Sequence, residues 1–260
     1  MMRIALAVEY DGSPFCGWQY QDHSPSVQAT VEKALSRVAN HPVRVICAGR
    51  TDTGVHATEQ IIHFDTESQR DDHQWVLGAN THLPDSISIL WAKQVSEDFH
   101  ARFSATRRRY RYVILNRRIR HALLAHRTVW EYRPLDESRM AAAAKYLVGE
   151  HDFSSYRALA CQAKSPVRTL YQLDVKRHEE IITLDLEANA FLHHMVRNIA
   201  GVLMSIGAGE QEPIWAKEVL EKQDRTLGGV TAPAGGLYLT GVDYPPEFEI
   251  PRLSRLPMVW

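Results

Sequence analysis

The segment Gly49-Arg50-Thr51-Asp52-Thr53-Gly54-Val55-His56 sets a carboxylate beside a guanidinium in a polar stretch that joins two apolar runs. A carboxylate at a cleft stays ionised when a cation within about 4 to 6 Å offsets its desolvation. An ionised, sheltered Asp52 is then a nucleophile or a base. The same residue also reads as an Asx-turn residue that merely caps its loop, because Asp followed by Gly is ordinary turn chemistry. A second charged residue bears on the choice. Arg197, in Phe191-Leu192-His193-His194-Met195-Val196-Arg197-Asn198, lies on the polar side of an otherwise apolar helical stretch, in line with His193 and His194. A half-buried guanidinium needs an acceptor. Asp52 would serve, and so would Glu187 or Asp185 on the preceding strand.

A third feature is charge of one sign. Arg102, Arg107, Arg108, Arg109, Arg111, Arg117, Arg118 and Arg120 follow one another with no acid among them, and Tyr110 and Tyr112 are interleaved. Such a run is either a solvated basic strand or a surface for phosphates and bases, which the planar guanidinium suits better than an ammonium does. Thr231-Ala232-Pro233-Ala234-Gly235-Gly236-Leu237 reads as a glycine-rich turn into a strand, with Leu237 either packed in a core or walling a pocket. Adjacent His193 and His194 match no zinc-ligand spacing. No phosphate-binding loop, serine elbow or dinucleotide-binding turn is present either, so neither a metal nor a nucleotide cofactor is indicated.

The elements that must position these residues follow from periodicity and punctuation. Arg3 to Tyr10 alternates as a strand and is broken at Gly12-Ser13-Pro14. Val27, Val31, Ala34, Leu35 and Val38 recur at helical spacing, with Ser24 or Ser26 as N-cap and Pro42 beyond the end. Val43 to Ala48 and Gln60 to Phe64 are expected strands, with Gly49 to Thr58 as the loop between them. Trp75 to Asn80 is a short helix, Ser86 to Val95 a strand, and Arg107 to Leu115 the arginine-rich strand. That order, β, α, β, β, α, β, is the ferredoxin-like arrangement also used by RNA-recognition domains.

The second half repeats the general plan: a helix over Asp136 to Val148 capped by Gly149, then strands at Thr169 to Arg177 and Glu180 to Leu186 in a hairpin. A helix over Ala190 to Ile206 carries a stripe of Phe191, Leu192, Met195, Val196, Ile199, Val202, Leu203 and Ile206. Pro213 to Gln223 is a further helix and Leu237 to Val242 a last strand. The expected fold class is therefore α+β, with two ferredoxin-like (RRM-like) antiparallel-sheet domains, helices on one face and an active-site cleft between them. Domain boundaries fall at 1–105, carrying the Asp52 loop, and 106–260.

With 260 residues, 45% hydrophobic and 23% charged, the chain can bury the cores this plan requires. No apolar run approaches the length of a membrane helix, and the amino terminus carries an acid too early for a secretory signal. A cytoplasmic protein with no membrane partner is expected. Cys16, Cys47 and Cys161 are odd in number and far apart, and read as reduced thiols. The net charge of −1 hides the local segregation that steers nucleic acids.

Taken in order, Tyr10-Asp11-Gly12 with Gly17-Trp18-Gln19, Gly49-Arg50-Thr51-Asp52 through Val55-His56-Ala57, and Phe99-His100-Ala101-Arg102-Phe103-Ser104-Ala105 resemble the tRNA pseudouridine synthase A family. The likeness continues through Tyr110-Arg111-Tyr112, Gly149-Glu150-His151-Asp152-Phe153-Ser154, Pro166-Val167-Arg168-Thr169, Phe191 to Asn198 and Thr231 to Leu239, nearly the whole chain. The resemblance implies isomerisation of uridines at positions 38, 39 and 40 of the tRNA anticodon stem-loop, without a cofactor, by a homodimer in which each tRNA touches both subunits. It makes Asp52 the nucleophile, Arg197 its charge partner, Tyr110 the aromatic contact to the target uridine, Leu237 the apolar wall of the uracil pocket and Arg50 the residue that helps displace the base. The chain departs from the family pattern at Thr53, where alanine is expected, and at Glu59, where glycine is expected and a change of loop geometry would follow. Two rival readings use the same residues differently. A noncatalytic RNA-binding module needs the basic strand but not Asp52 or Arg197, and a nucleoside hydrolase needs the carboxylate but not the arginines. The tail from Leu253 to Trp260 suggests no role.

Overall fold

A computed structural model of the chain describes residues 1–253, 256 and 257, so most of the tail from Leu253 to Trp260 lies outside the described residues. It is a mixed α+β fold of mostly antiparallel strands that forms two compact units. The first runs over Met1–Thr106 and takes in the chain again from Tyr238; the second runs over Arg107–Leu237. No helix among the described residues is long and apolar enough to cross a membrane.

In the first unit β1 (Met2–Tyr10) leads to α1 (Val27–Ala39), β2 (Ile46–Cys47), β3 (His56–Thr66), α2 (Asp72–Asn80) and β4 (Ile87–Val95). The strands lie in the order β4-β1-β3, all antiparallel, and β2 pairs antiparallel with β3 beyond them. Helix α1 starts where Ser26 accepts from the Ala29 amide, and α2 opens on a reciprocal capping box between Asp71 and Gln74. Val27, Val31, Ala34 and Leu35 of α1 are buried, as are Trp18, Phe64 and Trp75.

Expected boundaries move: α2 starts at Asp72, three residues ahead of Trp75, and two more shift around the Asp52 loop. Only Ile46–Cys47 of the stretch expected from Val43 to Ala48 is strand, because the amides of Val43 and Val45 donate to the side chains of Ser36 and Glu32 on α1 instead of to β3. β3 begins at His56, so the expected loop to Thr58 is shorter by three residues; polar His56, Thr58, Glu59 and Gln60 disguise a buried strand.

In the second unit β5 (Arg107–Asn116) is followed by β6 (Val129–Glu131), α3 (Glu137–Ala144), β7 (Gly149–Asp152), β8 (Val167–His178), β9 (Ile181–Ala188), α4 (Met195–Gly207) and α5 (Trp215–Lys222). The order is β5-β9-β8-β7, all antiparallel, with β6 parallel on β5. Helix α3 ends at Ala144 and tightens into a 3-10 turn, Lys145–Leu147, so Gly149 opens β7 at φ +117° and does not cap a longer helix. Helix α4 begins at Met195, five residues later than its apolar stripe predicts. The Asn189 amide donates to the Thr169 carbonyl and its side-chain oxygen accepts from the Thr169 and Ala190 amides, the His193 carbonyl accepts from the Ala158 amide, and His194 is left-handed at φ 62°. A helix cannot run through those commitments.

The strand β10 (Leu237–Asp243), expected to end the second half, pairs in parallel with β3 of the first unit through Tyr238–His56 and Leu239–Ala57.

The Phe99–Ala105 motif is a packed corner of the first unit. Phe99 is fully buried, Arg3 holds Asp65 in a two-pronged ion pair and donates to the carbonyls of Glu97 and Phe99, and the Tyr244 hydroxyl donates to the Ala101 carbonyl at 2.6 Å. The Ala101 amide donates to Nδ1 of His63, 3.1 Å away, on a ring only 2% exposed. Burial, with Arg3 and His100 adding repulsion, lowers the His63 pKa to about 4. Nδ1 must stay unprotonated to accept, so the folded state holds His63 neutral. A folded pKa below the unfolded one gives stability that is full above the unfolded value and is lost as pH falls towards the folded one. The protein is expected to lose about 2 kcal/mol of stability between about pH 6.5 and pH 4 through this residue. Chemical denaturation across that range should show it, and His63→Asn, which keeps an acceptor and does not titrate, should flatten the slope; equal slopes in both proteins would refute the assignment.

Candidate active site

Asp52 sits half-buried in the turn between β2 and β3. The Val55 amide donates to the Asp52 carbonyl at 3.1 Å and Gly54 takes φ +77°, so backbone bonding closes the turn. The loop is anchored along its length. At its start Gly49 exchanges two hydrogen bonds with the side-chain amide of Gln60. In its middle the Trp18 amide donates to the Thr51 carbonyl at 3.0 Å, and the Tyr10 hydroxyl bonds the Thr51 hydroxyl at 2.7 Å. At its end the Gly12 amide donates to Nδ1 of His56 at 3.0 Å.

The Tyr10–Gly12 and Gly17–Trp18 motifs are therefore the clamp of the Asp52 loop, a function that reading Gly12 as a strand breaker missed. Glycine is required at both approaches. A Cβ on Gly12 would lie 1.9 Å from the Val55 carbonyl oxygen, and one on Gly17, at φ +88°, would lie 2.8 Å from the Thr51 carbonyl oxygen and 3.2 Å from the Asp52 carbonyl carbon. Gly17→Ala is expected to cost about 1 to 2 kcal/mol through its left-handed backbone and to lower turnover by displacing Thr51–Thr53. Thermal unfolding and a turnover assay check both; a destabilised variant with full turnover would show that the clamp does not set the loop.

The two departures from the family pattern are accommodated. Thr53 is exposed. Glu59 lies where β3 slips by one residue against β1, three steps from Ala57 to Gln60 facing two from Val8 to Tyr10, a β-bulge. Its φ is not positive, its side chain is buried, and its carboxylate accepts from the Leu253 amide at 3.0 Å. Arg50 is exposed beside the loop.

The second unit carries the other expected site residues. Tyr110, on β5 opposite Leu186, is 9% exposed and meets the ring of Phe191 edge to face at 4.9 Å. Phe191 reaches it because it stands ahead of α4 and not on it; His193 and His194 likewise precede the helix, so they do not share a helical face with Arg197. Arg197 occupies the first turn of α4, half-buried. A cation there opposes the helix dipole, so helix stability does not account for it. Its Nε donates to the Ala232 carbonyl at 2.8 Å, and the Ala232 amide returns a bond to the Arg197 carbonyl at 3.1 Å. Next along, the Pro233 carbonyl accepts from the Tyr112 hydroxyl at 2.8 Å. Burial pushes that hydroxyl's pKa well above its usual range, with Arg197 pulling the other way. Leu237 is buried at the end of this segment.

The arginine run is less available than its sequence suggests. Across the antiparallel ladder Arg111 grips Asp185 with two bonds of 2.6 and 2.8 Å, Arg107 pairs with Glu187, Arg109 lies 3.9 Å from Glu187, and Arg117 pairs with Glu180 at 3.2 Å. The acids missing from the run are supplied by the neighbouring strand. Their alternation, Asp185 then Glu187, was the signal that could have found them. Glu187 and Asp185, the rival partners for Arg197, are thus engaged by β5. Arg102, Arg118 and Arg120 are exposed.

Comparison with known proteins fixes the class. Residues 6–104 and 143–245 match the family described as tRNA pseudouridine synthase, and the chain belongs to that family. Relatives named tRNA pseudouridine synthase A resemble it end to end. The one from Nitrosococcus oceani is 60% identical over 259 residues, covering 100% of both chains. One from Coxiella burnetii is 58% identical over 257 residues, covering 99% of this chain and 98% of its own. That of Aliivibrio fischeri is 54% identical with the same coverage.

Proposed function

We propose that the protein isomerises uridine to pseudouridine at positions 38, 39 and 40 of the tRNA anticodon stem-loop, with Asp52 as the nucleophile. The observation that carries this reading is a carboxylate on a loop clamped at Gly49, Thr51 and His56, in a chain of this family. The chemistry asks for little else. The N1–C1′ bond breaks, the uracil turns, a C5–C1′ bond forms, and the proton lost from C5 is balanced by one gained at N1. The reaction is redox-neutral and consumes no second substrate, so no cofactor is called for.

Arg197 is the charge partner of Asp52. Support comes from its place in the first turn of α4, against the helix dipole, and from the engagement of Asp185 and Glu187 by β5. The target base must leave its stack at a cost of a few kcal/mol. Arg50 offsets part of that cost by displacing the base, Tyr110 supplies an aromatic contact and Leu237 an apolar wall. The strand order β4-β1-β3-β2 supports a ferredoxin-like first domain ending near residue 105, with the second domain of the same type. The working enzyme is a cytoplasmic homodimer.

The test is incubation with an unmodified tRNA transcript without added cofactor, followed by chemical mapping of pseudouridine. Product at positions 38 to 40 is expected. Product only elsewhere in the tRNA would overturn the proposed positions, and no product at all would overturn the proposed activity.

A further inference from the structure

Outside the residues already given roles, the second unit contains a polar cluster in which a half-buried arginine meets neutral oxygens. Arg225 donates from Nη2 to the Thr231 hydroxyl at 2.8 Å and to Oδ1 of Asn198 at 3.0 Å. The Thr231 hydroxyl donates to the same Oδ1 at 2.6 Å, and Nδ2 of Asn198 donates to the Tyr156 carbonyl at 2.7 Å. Asn198 is 2% exposed. The cluster straps residues 230–233 across the first two turns of α4. Gly201 makes the crossing possible, since a Cβ there would lie 1.8 Å from the Val230 carbonyl oxygen.

Within the strap Ala232 exchanges two hydrogen bonds with Arg197, and the chain runs on from it to Leu237. Nε of Arg197 is thus aimed by a carbonyl that Arg225 and Asn198 hold through the neighbouring Thr231.

We infer that Arg225, Asn198 and Thr231 are positioning residues that fix the direction of the Arg197 guanidinium, a role that rests on the reading of Arg197 proposed above. The Nε bond to the Ala232 carbonyl sets the heading of the guanidinium, and electrostatic partners displaced by about 1 Å can cost up to about a hundredfold in rate. The strap fixes that carbonyl before substrate arrives.

The test compares Thr231→Val, which keeps the shape but loses both hydroxyl bonds, with Thr231→Ser, which restores them, and with Arg225→Met. Arg197→Met is measured in parallel. In the full-length protein with tRNA, Thr231→Val and Arg225→Met are expected to lose about tenfold or more in kcat with KM changed by less than about threefold, and Thr231→Ser to recover most of the loss. Full kcat in a folded Thr231→Val or Arg225→Met protein overturns the inference while Arg197→Met remains impaired. So does a loss confined to KM, or a Thr231→Ser as poor as Thr231→Val. Should Thr231→Val not fold, the kcat and KM of Arg225→Met decide between the same two outcomes. Full kcat in Arg197→Met would instead overturn the reading of Arg197 itself.

Discussion

Asp52→Asn is expected to bind tRNA within about threefold of the parent protein and to form no pseudouridine, a loss of about ten-thousandfold or more in kcat. The substitution keeps the shape of the side chain and removes its charge and its nucleophilic oxygen. The loop survives it, because its anchors lie at Gly49, Thr51 and His56, and its turn is closed by the Asp52 carbonyl. With phosphate and base contacts assigned to other residues in the proposed function, binding and chemistry are expected to separate. Turnover by this variant within about a hundredfold of the parent would remove Asp52 from the chemistry and leave its loop a structural turn.

The second large effect is expected at Arg197. Arg197→Met should lower kcat by about a hundredfold to a thousandfold, the size seen when one preorganised electrostatic partner is removed. Affinity for tRNA should hold within about threefold. The loss of its bond to the Ala232 carbonyl adds about 1 kcal/mol of destabilisation, visible as a modest fall in the unfolding midpoint. Arg197→Lys restores charge without the Nε geometry and should recover only part of the rate. A fully active Arg197→Met protein would mean that the carboxylate has another partner, and an Arg197→Met whose defect lies wholly in KM would place the guanidinium on the RNA.

Local signals carried much of the fold. Ser26 marks a helix start in type and spacing, and the strands of the β8–β9 hairpin were legible from alternation, whereas the Asp71–Gln74 box that starts α2 at Asp72, ahead of the expected Trp75, went unread. Two of the misjudged boundaries share a cause. At Val43–Val45 and at Asn189–His194 backbone donors and acceptors are taken by partners outside the repeat of the element, and periodicity contains no term for them. Bonds between Tyr10 and Thr51 or Gly12 and His56 span about forty residues and are invisible to local reading for the same reason. Asp52 and Arg197 were legible as chemical types in unusual settings, whereas the role of Tyr110 came only with the family resemblance, which also chose between core and pocket wall for Leu237. The arginine strand was read too simply, since its counter-charges sit on the strand it pairs with.

The most direct measurement of the proposed chemistry is release of tritium to water from an anticodon stem-loop whose uridines at positions 38 to 40 carry the label at C5. Joining C5 to the sugar must expel that hydrogen. Release of one equivalent per converted uridine by the parent protein, and none by Asp52→Asn, is the expected result. No release by the parent protein on a stem-loop that it binds, or equal release by both proteins, would contradict it.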